Sequence, residues 1–600
     1  MKIINISILA HVDAGKTSLT EALLSTTIEN MEAGNIKNGS TITDNDQLEM
    51  KRGISIYTSS TSLTYNNVKI NIIDTPGHMD FINEVEQALI VTDLAVLLIA
   101  ANDRYIKPQT SVIYEKLVEL NIPTIIFINK IDIDGGIKQI MIDSVSKMTD
   151  NKSFEVTNKK SIIDRLTLIN EQYFNNVFSE TDTEEQYQSL LIENTISGEI
   201  VPILKGSAKL GQGIMELLDF ISLFAKKVSN ELNLSALIYK KSYDEKKRLH
   251  TYIRIYSGNI YLNSFIDIKG EQFKVSKIYK MEEGKIIKTE VVHANDIAII
   301  ESSFNFEIGS WIGNELPEKK MPVWTVGKYT THLSYTSGMR VKVLEALKSI
   351  SCVNPFIKYY IDEINQDIVL ILVGVIQKEV LKDTFKEKFE LDIELGETRA
   401  IKFKSPKYSL EESIIMNTID NPFWASMTMK IEPLAIGMGV KYETLINTGY
   451  LKKSFQNAIE DSIKSFEGTA FNGCLLTDYK VILTDAEFAS PVSTPSDFRH
   501  STKILLEKLY EKMDLNVLES VGLYTLTIPE SSIQMAYKDL ARLRAKITES
   551  IYKSNFVEVK GYMNMNKALN YSQNVLDYTN GFGSFQIIHD HYIISLSDVL

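Results

Sequence analysis

The chain of 600 residues carries 44% hydrophobic and 24% charged residues, 13 prolines, 29 glycines and a formal net charge of −13. That length exceeds what one hydrophobic core can serve, so several domains are expected, and the composition excludes a disordered or fibrous chain. Two cysteines, Cys352 and Cys474, exclude a disulfide framework and fit a reducing, cytosolic setting, while the acidic balance argues against wholesale coating of nucleic acid but leaves room for local contacts.

The first apolar run, Ile3 to Leu9, is too short for a secretion signal or a membrane span, and His11 and Asp13 follow at once. The longest later run, Leu94 to Ala101, also falls far below the roughly 20 residues a spanning helix requires, so no membrane partner is expected. The first run reads instead as a strand that leads into "AHVDAGKT". Ala10, His11, Val12, Asp13, Ala14, Gly15, Lys16 and Thr17 fit the phosphate-loop pattern with alanine in the first glycine position, between that strand and a helix over Ser18 to Ile28. Backbone N–H groups of Asp13 to Thr17 and the helix N-terminus would wrap phosphates, Lys16 would face the β and γ phosphates, and the Thr17 hydroxyl would ligate Mg²⁺. His11 is expected to pack outward, without a chemical role.

"EMKRGISIYTSS" (49 to 60) supplies a flexible segment in which the Ser55 hydroxyl can reach Mg²⁺ while a γ-phosphate is present and let go afterwards. "KINIIDTPGHMDF" (69 to 81) is an apolar strand ending in Asp74, then Thr75, Pro76, Gly77 and His78. Asp74 can hold the Mg²⁺ shell, Gly77 can offer an unhindered N–H to a γ-phosphate, and a neutral His78 can orient the attacking water. "PTIIFINKID" (123 to 132) delivers Asn129, Lys130 and Asp132 to the edge of another buried strand. A carboxylate there accepts both N1–H and N2–H₂ of guanine, a donor pair adenine lacks, so the nucleotide is GTP. "VPILKGSAKLGQGI" (201 to 214) adds Ser207 and Ala208 on the other side of the base. Strands alternating with helical patterns over Met79 to Val91, Pro108 to Leu120 and Gly213 to Val228 predict a parallel sheet with its ligand at the carboxyl ends of the strands. The six histidines other than His11 and His78 show no metal spacing.

Past residue 232 the pattern shifts to short alternating runs, "HTYIRIYSGNIYLNSFIDI", "QFKVSKIYKM" and "NDIAIIES", which read as a small antiparallel barrel over 233–320. Residues 321–397 read as a split βαβ unit, and the same order recurs over 518–600 with "SSIQMAYKDLARLRAKITESI" as a helix. Between them, 398–517 holds a loop with two prolines and several hydroxyls, Ser490-Pro491-Val492-Ser493-Thr494-Pro495, stiff enough to project and dock at little entropic cost. Pro491 can stack on a base, and the serine hydroxyls can bond phosphates. Asn421-Pro422-Phe423-Trp424 reads equally as packing or as contact surface.

Ala10 to Thr17, Arg52-Gly53-Ile54-Ser55-Ile56, Asp74 to His78 and Asn129 to Asp132 together resemble the motifs of the translational GTPases. "NPFWASM" (421 to 427), "GYLKKSFQNAI" (449 to 459) and "SPVSTPSDFR" (490 to 499) look like the tetracycline-resistance ribosomal protection proteins, relatives of elongation factor G. The resemblance spans nearly the whole chain. It implies an elongation factor G-like order of an α/β P-loop GTPase domain, a β-barrel and α+β domains, and a cytoplasmic monomer that docks on the ribosome with GTP and Mg²⁺. It further implies contacts with the 23S rRNA factor-binding site and the 16S rRNA decoding region, where Ser490, Pro491, Val492 and Ser493 would reach RNA, dislodge tetracycline and be released after hydrolysis at His78. A translocase-like GTPase without resistance activity and a GTP-gated ribosome-binding module that does not hydrolyse are the alternatives. The chain departs from the family pattern at Ser55 for threonine, at Asp103-Arg104-Tyr105 for Asp-Gly-Val, at Ala489 for tyrosine, and in lacking a basic extension after Leu600.

Overall fold

The computed structural model describes residues 2–11, 13–27, 49, 55–77, 81–103, 106–133, 139–179, 183–228, 233–244, 246–268, 271–301, 306–316, 329–361, 366–466, 470–471, 474–553, 556–569, 571–579 and 581–595. The chain forms two compact units, one of residues 1–326 with 341–356 and 379–390, the other of 327–340, 357–378 and 391–600.

In the first unit, strands β1 (Lys2–Ala10), β3 (Val68–Asp74), β4 (Leu94–Ala100), β5 (Thr124–Asn129) and β7 (Val201–Lys205) run parallel, with β2 (Ser59–Tyr65) antiparallel at one edge and β6 (Ser153–Glu155) parallel at the other. The sheet order is β2-β3-β1-β4-β5-β7-β6. Every residue of β3, β4 and β5 is buried, as expected when helices cover both faces of a parallel sheet. Their carboxyl ends place Ala10, Asp74, Ala100 and Asn129 along one edge, where the connecting loops carry the chemistry.

The helix expected over Met79 to Val91 occupies Ile82–Ile90 among the described residues, and the one beginning at Pro108 ends at Glu119. The last helix ends at Leu223 rather than Val228. Lys226 and Lys227 instead pair with Ile3 and Lys2, because β4 meets β1 only from Ile6 onward and leaves the first β1 backbone groups in need of partners. Four helices between β5 and β7, Gln139–Met148, Lys159–Ile169, Glu171–Phe178 and Glu184–Ile196, escape the motif reading. Their starts are nonetheless written in the chain: Asn158, Asn170 and Thr183 each accept the N–H three residues on.

Residues 235–313 form a six-stranded antiparallel sheet with two short two-stranded pairings, one of them a hairpin, around a core of Ile238, Ile253, Ile255, Ile278 and Ile300. This barrel is fastened to the nucleotide-binding sheet by buried charge. Lys69 Nζ donates to both Asp296 carboxylate oxygens at 2.8 and 2.7 Å, and Arg254 Nη2 to both of Asp93 at 3.1 and 2.9 Å. Asn5 joins the two pairs, donating to Asp93 and accepting from Asn71, which also donates to Asp296. Burial pushes the Asp93 carboxyl up, but Arg254, Lys226 and the Asn5 donors outweigh it and hold the group below the usual carboxylate range.

The second unit contains three sheets. Strands Lys358–Ile361, Ile368–Leu372, Tyr329–Tyr335 and Ile393–Leu395 form the first. Leu410–Ile414, Ala425–Pro433, Tyr479–Phe488 and Val440–Thr444 form the second, and helices Lys453–Phe466 and Pro495–Lys512 contribute Phe455, Ile459, Phe498, Leu505 and Leu509 to its core. The third is organised by one 15-residue strand, Leu515–Pro529. Its first residues pair with Phe403–Pro406, and the rest pair with Phe556–Asn564 and Ser584–Ile594. The boundary expected at 517/518 therefore falls inside a continuous strand. The helix expected through Ile551 stops at Arg542: Arg544 adopts a left-handed φ of 54°, and Lys546–Lys553, with β-branched Ile547, Thr548 and Ile551, joins the sheet as a strand.

Candidate active site

The phosphate loop leaves β1 at Ala10 and enters the first helix at Lys16. Its turn requires two left-handed residues, Asp13 (φ 68°) and Gly15 (φ 92°). A Cβ on Gly15 would lie 2.6 Å from Asn129 Nδ2, so the residue has no room for a side chain as well as no preference for one. Leu19 N donates to Gly15 O at 3.0 Å and starts the helix. Val12 lies outside the described residues.

Lys16 is the hub. Its Nζ stands 2.5 Å from Asp74 Oδ1 and 3.2 Å from Ser55 Oγ, with both ions buried. The lysine expected to face phosphates, the carboxylate expected in the Mg²⁺ shell and the hydroxyl expected to switch thus converge at one point, and Thr17 is buried beside Lys16 on the same helix start. Thr75 turns its hydroxyl to Ile8 O at 3.1 Å, fixing the exit of β3 against β1. Pro76 and Gly77 continue from it, and Gln109 donates its side-chain amide to Gly77 O. His78, expected to orient water, lies outside the described residues, as do Arg52, Gly53 and Ile54.

The base-side residues lock to the phosphate loop. Asn129 donates to Ala14 O at 3.0 Å and accepts from Ala208 N at 2.9 Å, so one buried amide ties the ends of β1, β5 and β7 together. Lys130, itself left-handed at φ 63°, lays Nζ 2.5 Å from Asp13 O. Asp132 is exposed, and hydrogen bonding from the Ser207 side chain, aided by nearby Lys209 and Lys130, holds its carboxyl below the usual range. Ser207 itself is buried and forms an isolated bridge with Gln212.

His11 does not pack outward. Its side chain is buried with Nε2 2.9 Å from Asp103 Oδ2, so the residue braces the phosphate loop against the segment after β4. The aspartate that makes this contact belongs to the Asp103-Arg104-Tyr105 departure, of which Arg104 and Tyr105 lie outside the described residues.

Three residues that sequence reasoning passed over hold the segment after Ser55. Glu49 Oε1 accepts from Ile56 N at 2.7 Å and Tyr57 N at 2.9 Å. Glu84, on helix Ile82–Ile90, takes the Thr58 hydroxyl on its backbone oxygen at 3.1 Å and on Oε2 at 3.3 Å, and accepts from Asn354 Nδ2 at 3.1 Å. Barrel residue Lys240 donates to Thr58 O. Burial raises the Glu84 carboxyl despite Lys240 and the Thr58 bonds. No motif in the sequence marks these three residues, which lie in separate stretches of the chain.

The loop over 489–494 is built on a helix cap. Thr494 and Asp497 form a capping box at the start of Pro495–Lys512. Asp497 Oδ1 also accepts from Trp424 N at 3.3 Å, and Ser493 Oγ donates to Trp424 O at 2.5 Å while accepting from Ala489 N at 2.8 Å. Ser490, Pro491 and Val492 are exposed, whereas the Ser493 hydroxyl is engaged within the loop. Asn421 is fully buried, donating to Ala425 O and accepting from Ser501, and Phe423 stacks on His500 at 4.6 Å, so the "NPFW" stretch is mainly scaffold with Trp424 about a third exposed.

Residues 1–227 match the elongation factor Tu GTP binding domain, 400–513 match elongation factor G domain IV, and 516–600 match the elongation factor G C-terminus. The chain is 35% identical to tetracycline resistance protein TetO of Campylobacter jejuni and 34% identical to TetM of Staphylococcus aureus, in each case over 97% of this chain and 94% of the relative. The chain belongs to the tetracycline-resistance family of elongation factor G-like translational GTPases. A crystal structure of a Thermus thermophilus protein, 17% identical, shares the fold with a TM-score of 0.70, covering 100% of this chain and 98% of that one. The α/β P-loop domain, barrel and α+β domains follow the elongation factor G order, and the GTP-binding domain makes the protein a GTPase. Among the described residues no helix is long and apolar enough to cross a membrane.

Proposed function

We propose that this protein is a cytoplasmic, ribosome-stimulated GTPase that frees the small-subunit decoding region of tetracycline and acts as a monomer off the ribosome. The supporting observation is that the likeness to TetO and TetM runs through both the nucleotide site and the 400–513 segment, so the switch and the tip it governs come together. The proposed domains are 1–232, 233–320, 321–397, 398–517 and 518–600.

In this reading residues Ala10 to Thr17, Asp74 to Gly77 and the Asn129-Lys130-Asp132 and Ser207-Ala208 sets hold GTP. Lys16 exchanges Asp74 and Ser55 for phosphate oxygens. The hydroxyls of Thr17 and Ser55, with Asp74 behind them, offer an all-oxygen donor set that would suit Mg²⁺, whose charge would offset that of the phosphates. His78 orients water once the 23S rRNA factor-binding site fixes it. Ser490, Pro491 and Val492 meet the 16S rRNA decoding region, and Ser493 keeps their loop in shape. GTP drives release because the ribosome prefers one switch state over the other.

The test is expression in a tetracycline-sensitive bacterium beside phosphate-release assays with and without ribosomes. Resistance with ribosome-stimulated turnover, both lost in His78→Ala, supports the reading. Turnover without resistance would favour the translocase-like alternative, to which Ala489, lacking the aromatic ring the family carries at that position, lends weight. Nucleotide binding without turnover would identify a GTP-gated module.

A further inference from the structure

Helix Arg340–Val353 ends within the first unit on two neighbours. Asn354 donates to Glu84, and two residues earlier Cys352 Sγ lies 4.0 Å from Lys241 Nζ on barrel strand Ser235–Tyr243. Lys241 is 4% exposed, a long amine enclosed beside a thiol. Burial lowers its pKa, opposed by Cys352 and Glu307. The Tyr243 phenol borders the same sulfur and the Ser349 hydroxyl. Cys352 is half-buried, open to small solutes, whereas Cys474 is buried. A proton shared between nitrogen and sulfur leaves either a thiolate beside an ammonium or a thiol beside an amine. The first form attacks oxidants, and the amine attacks oxidised sulfur.

We propose that Cys352 and Lys241 form an oxidative cross-linking site whose co-reactant is hydrogen peroxide. The Cys352 thiolate attacks one peroxide oxygen, the O–O bond breaks and the departing hydroxide takes the ammonium proton of Lys241 to become water, so sulfur loses two electrons and becomes sulfenic acid while nitrogen is left as the amine. Lys241 Nζ, as the free amine, then attacks sulfur. The N–S bond forms as the S–O bond breaks, and the departing hydroxide takes a proton from nitrogen and leaves as water. Thiol, amine and peroxide thus give a sulfenamide and two waters. The flexible four-carbon stem of the lysine supplies the travel from 4.0 Å to bonding distance. The bond ties the barrel to the helix end whose next residues reach Glu84, and an external thiol reverses it by attack on sulfur. This inference does not depend on the ribosomal reading above.

The full-length protein, treated with hydrogen peroxide, is analysed by intact mass and peptide mapping, with dimedone to trap sulfenic acid. The expected result is a loss of about 2 Da, a peptide joining residues 241 and 352, and recovery with dithiothreitol. Lys241→Arg should stop at a dimedone-reactive Cys352 that has gained about 16 Da, and Cys352→Ser should show no mass loss. Sulfenic acid at Cys352 of the wild-type chain without the joined peptide, faster reaction at Cys474, or an unchanged mass loss in Lys241→Arg would each overturn the proposal. Mapping of the wild-type chain decides the matter even if a variant folds poorly.

Discussion

Asp132 and Glu84 are carboxylates displaced in opposite directions, and each displacement has a measurable outcome. The Ser207 side chain holds the Asp132 carboxyl below the usual carboxylate range, and under the proposed function this carboxylate is the acceptor for guanine. Asp132→Asn turns one acceptor into a donor. Calorimetry should show GTP binding weakened by about 100-fold, with xanthosine triphosphate, which carries a carbonyl where guanine has its amine, bound better than by the parent. Glu84 is raised by burial, so the folded protein holds a proton that the unfolded chain has already released. Stability therefore falls as pH climbs from the ordinary carboxylate value toward the raised one, and Glu84→Gln removes that dependence. The melting-temperature difference, variant minus parent, should grow through that window; a constant difference would show that the buried carboxyl does not titrate there. Asp132 was legible because it follows an apolar strand in an Asn-Lys-x-Asp run. Glu84 was not, since its partners Thr58, Asn354 and Lys240 come from three separate stretches of chain.

At the scale of elements, the loop ending at Thr494 shows its stiffness in the sequence but not its inward bonds. Two prolines and hydroxyls signal a rigid segment, whereas spacing cannot say which hydroxyl points inward; Ser493 turns to Trp424, 69 residues earlier, and to Ala489 at the start of its own loop. Ser493→Ala should cost about 1 kcal/mol of stability by denaturant unfolding, and Thr494→Ala a similar amount through the lost cap. Both should impair resistance more than GTP turnover, because neither touches the nucleotide. Strand Lys546–Lys553 reads as helix for a related reason. Its residues continue an amphipathic pattern, and only the left-handed turn at Arg544 and the open edge of Phe556–Asn564 convert it.

For the whole molecule, domain order was visible in the changes of periodicity, while the fastening between domains was not. The Asp93–Arg254 and Lys69–Asp296 pairs bring together charges 161 and 227 residues apart, a separation no local motif spans. Arg254→Met leaves the Asp93 carboxylate buried without its guanidinium partner. We expect a loss of about 3 to 5 kcal/mol in urea unfolding, with much of it recovered when Asp93→Leu is added, since a matched apolar pair carries no stranded charge. Additive losses would show that the two side chains act independently.

Strand Leu515–Pro529 has a practical consequence for exchanging parts with TetO or TetM. A graft that imports the tip from a relative and joins it at the expected 517/518 boundary would splice two ladders in mid-strand, mixing one parent's pairing on Phe403–Pro406 with the other's on Phe556–Asn564. Chimaeras should fold when both crossovers flank 400 to 595 and carry the strand whole with every neighbour it pairs. Inheritance of the tip alone therefore sets side chains of two parents against each other along one continuous ladder.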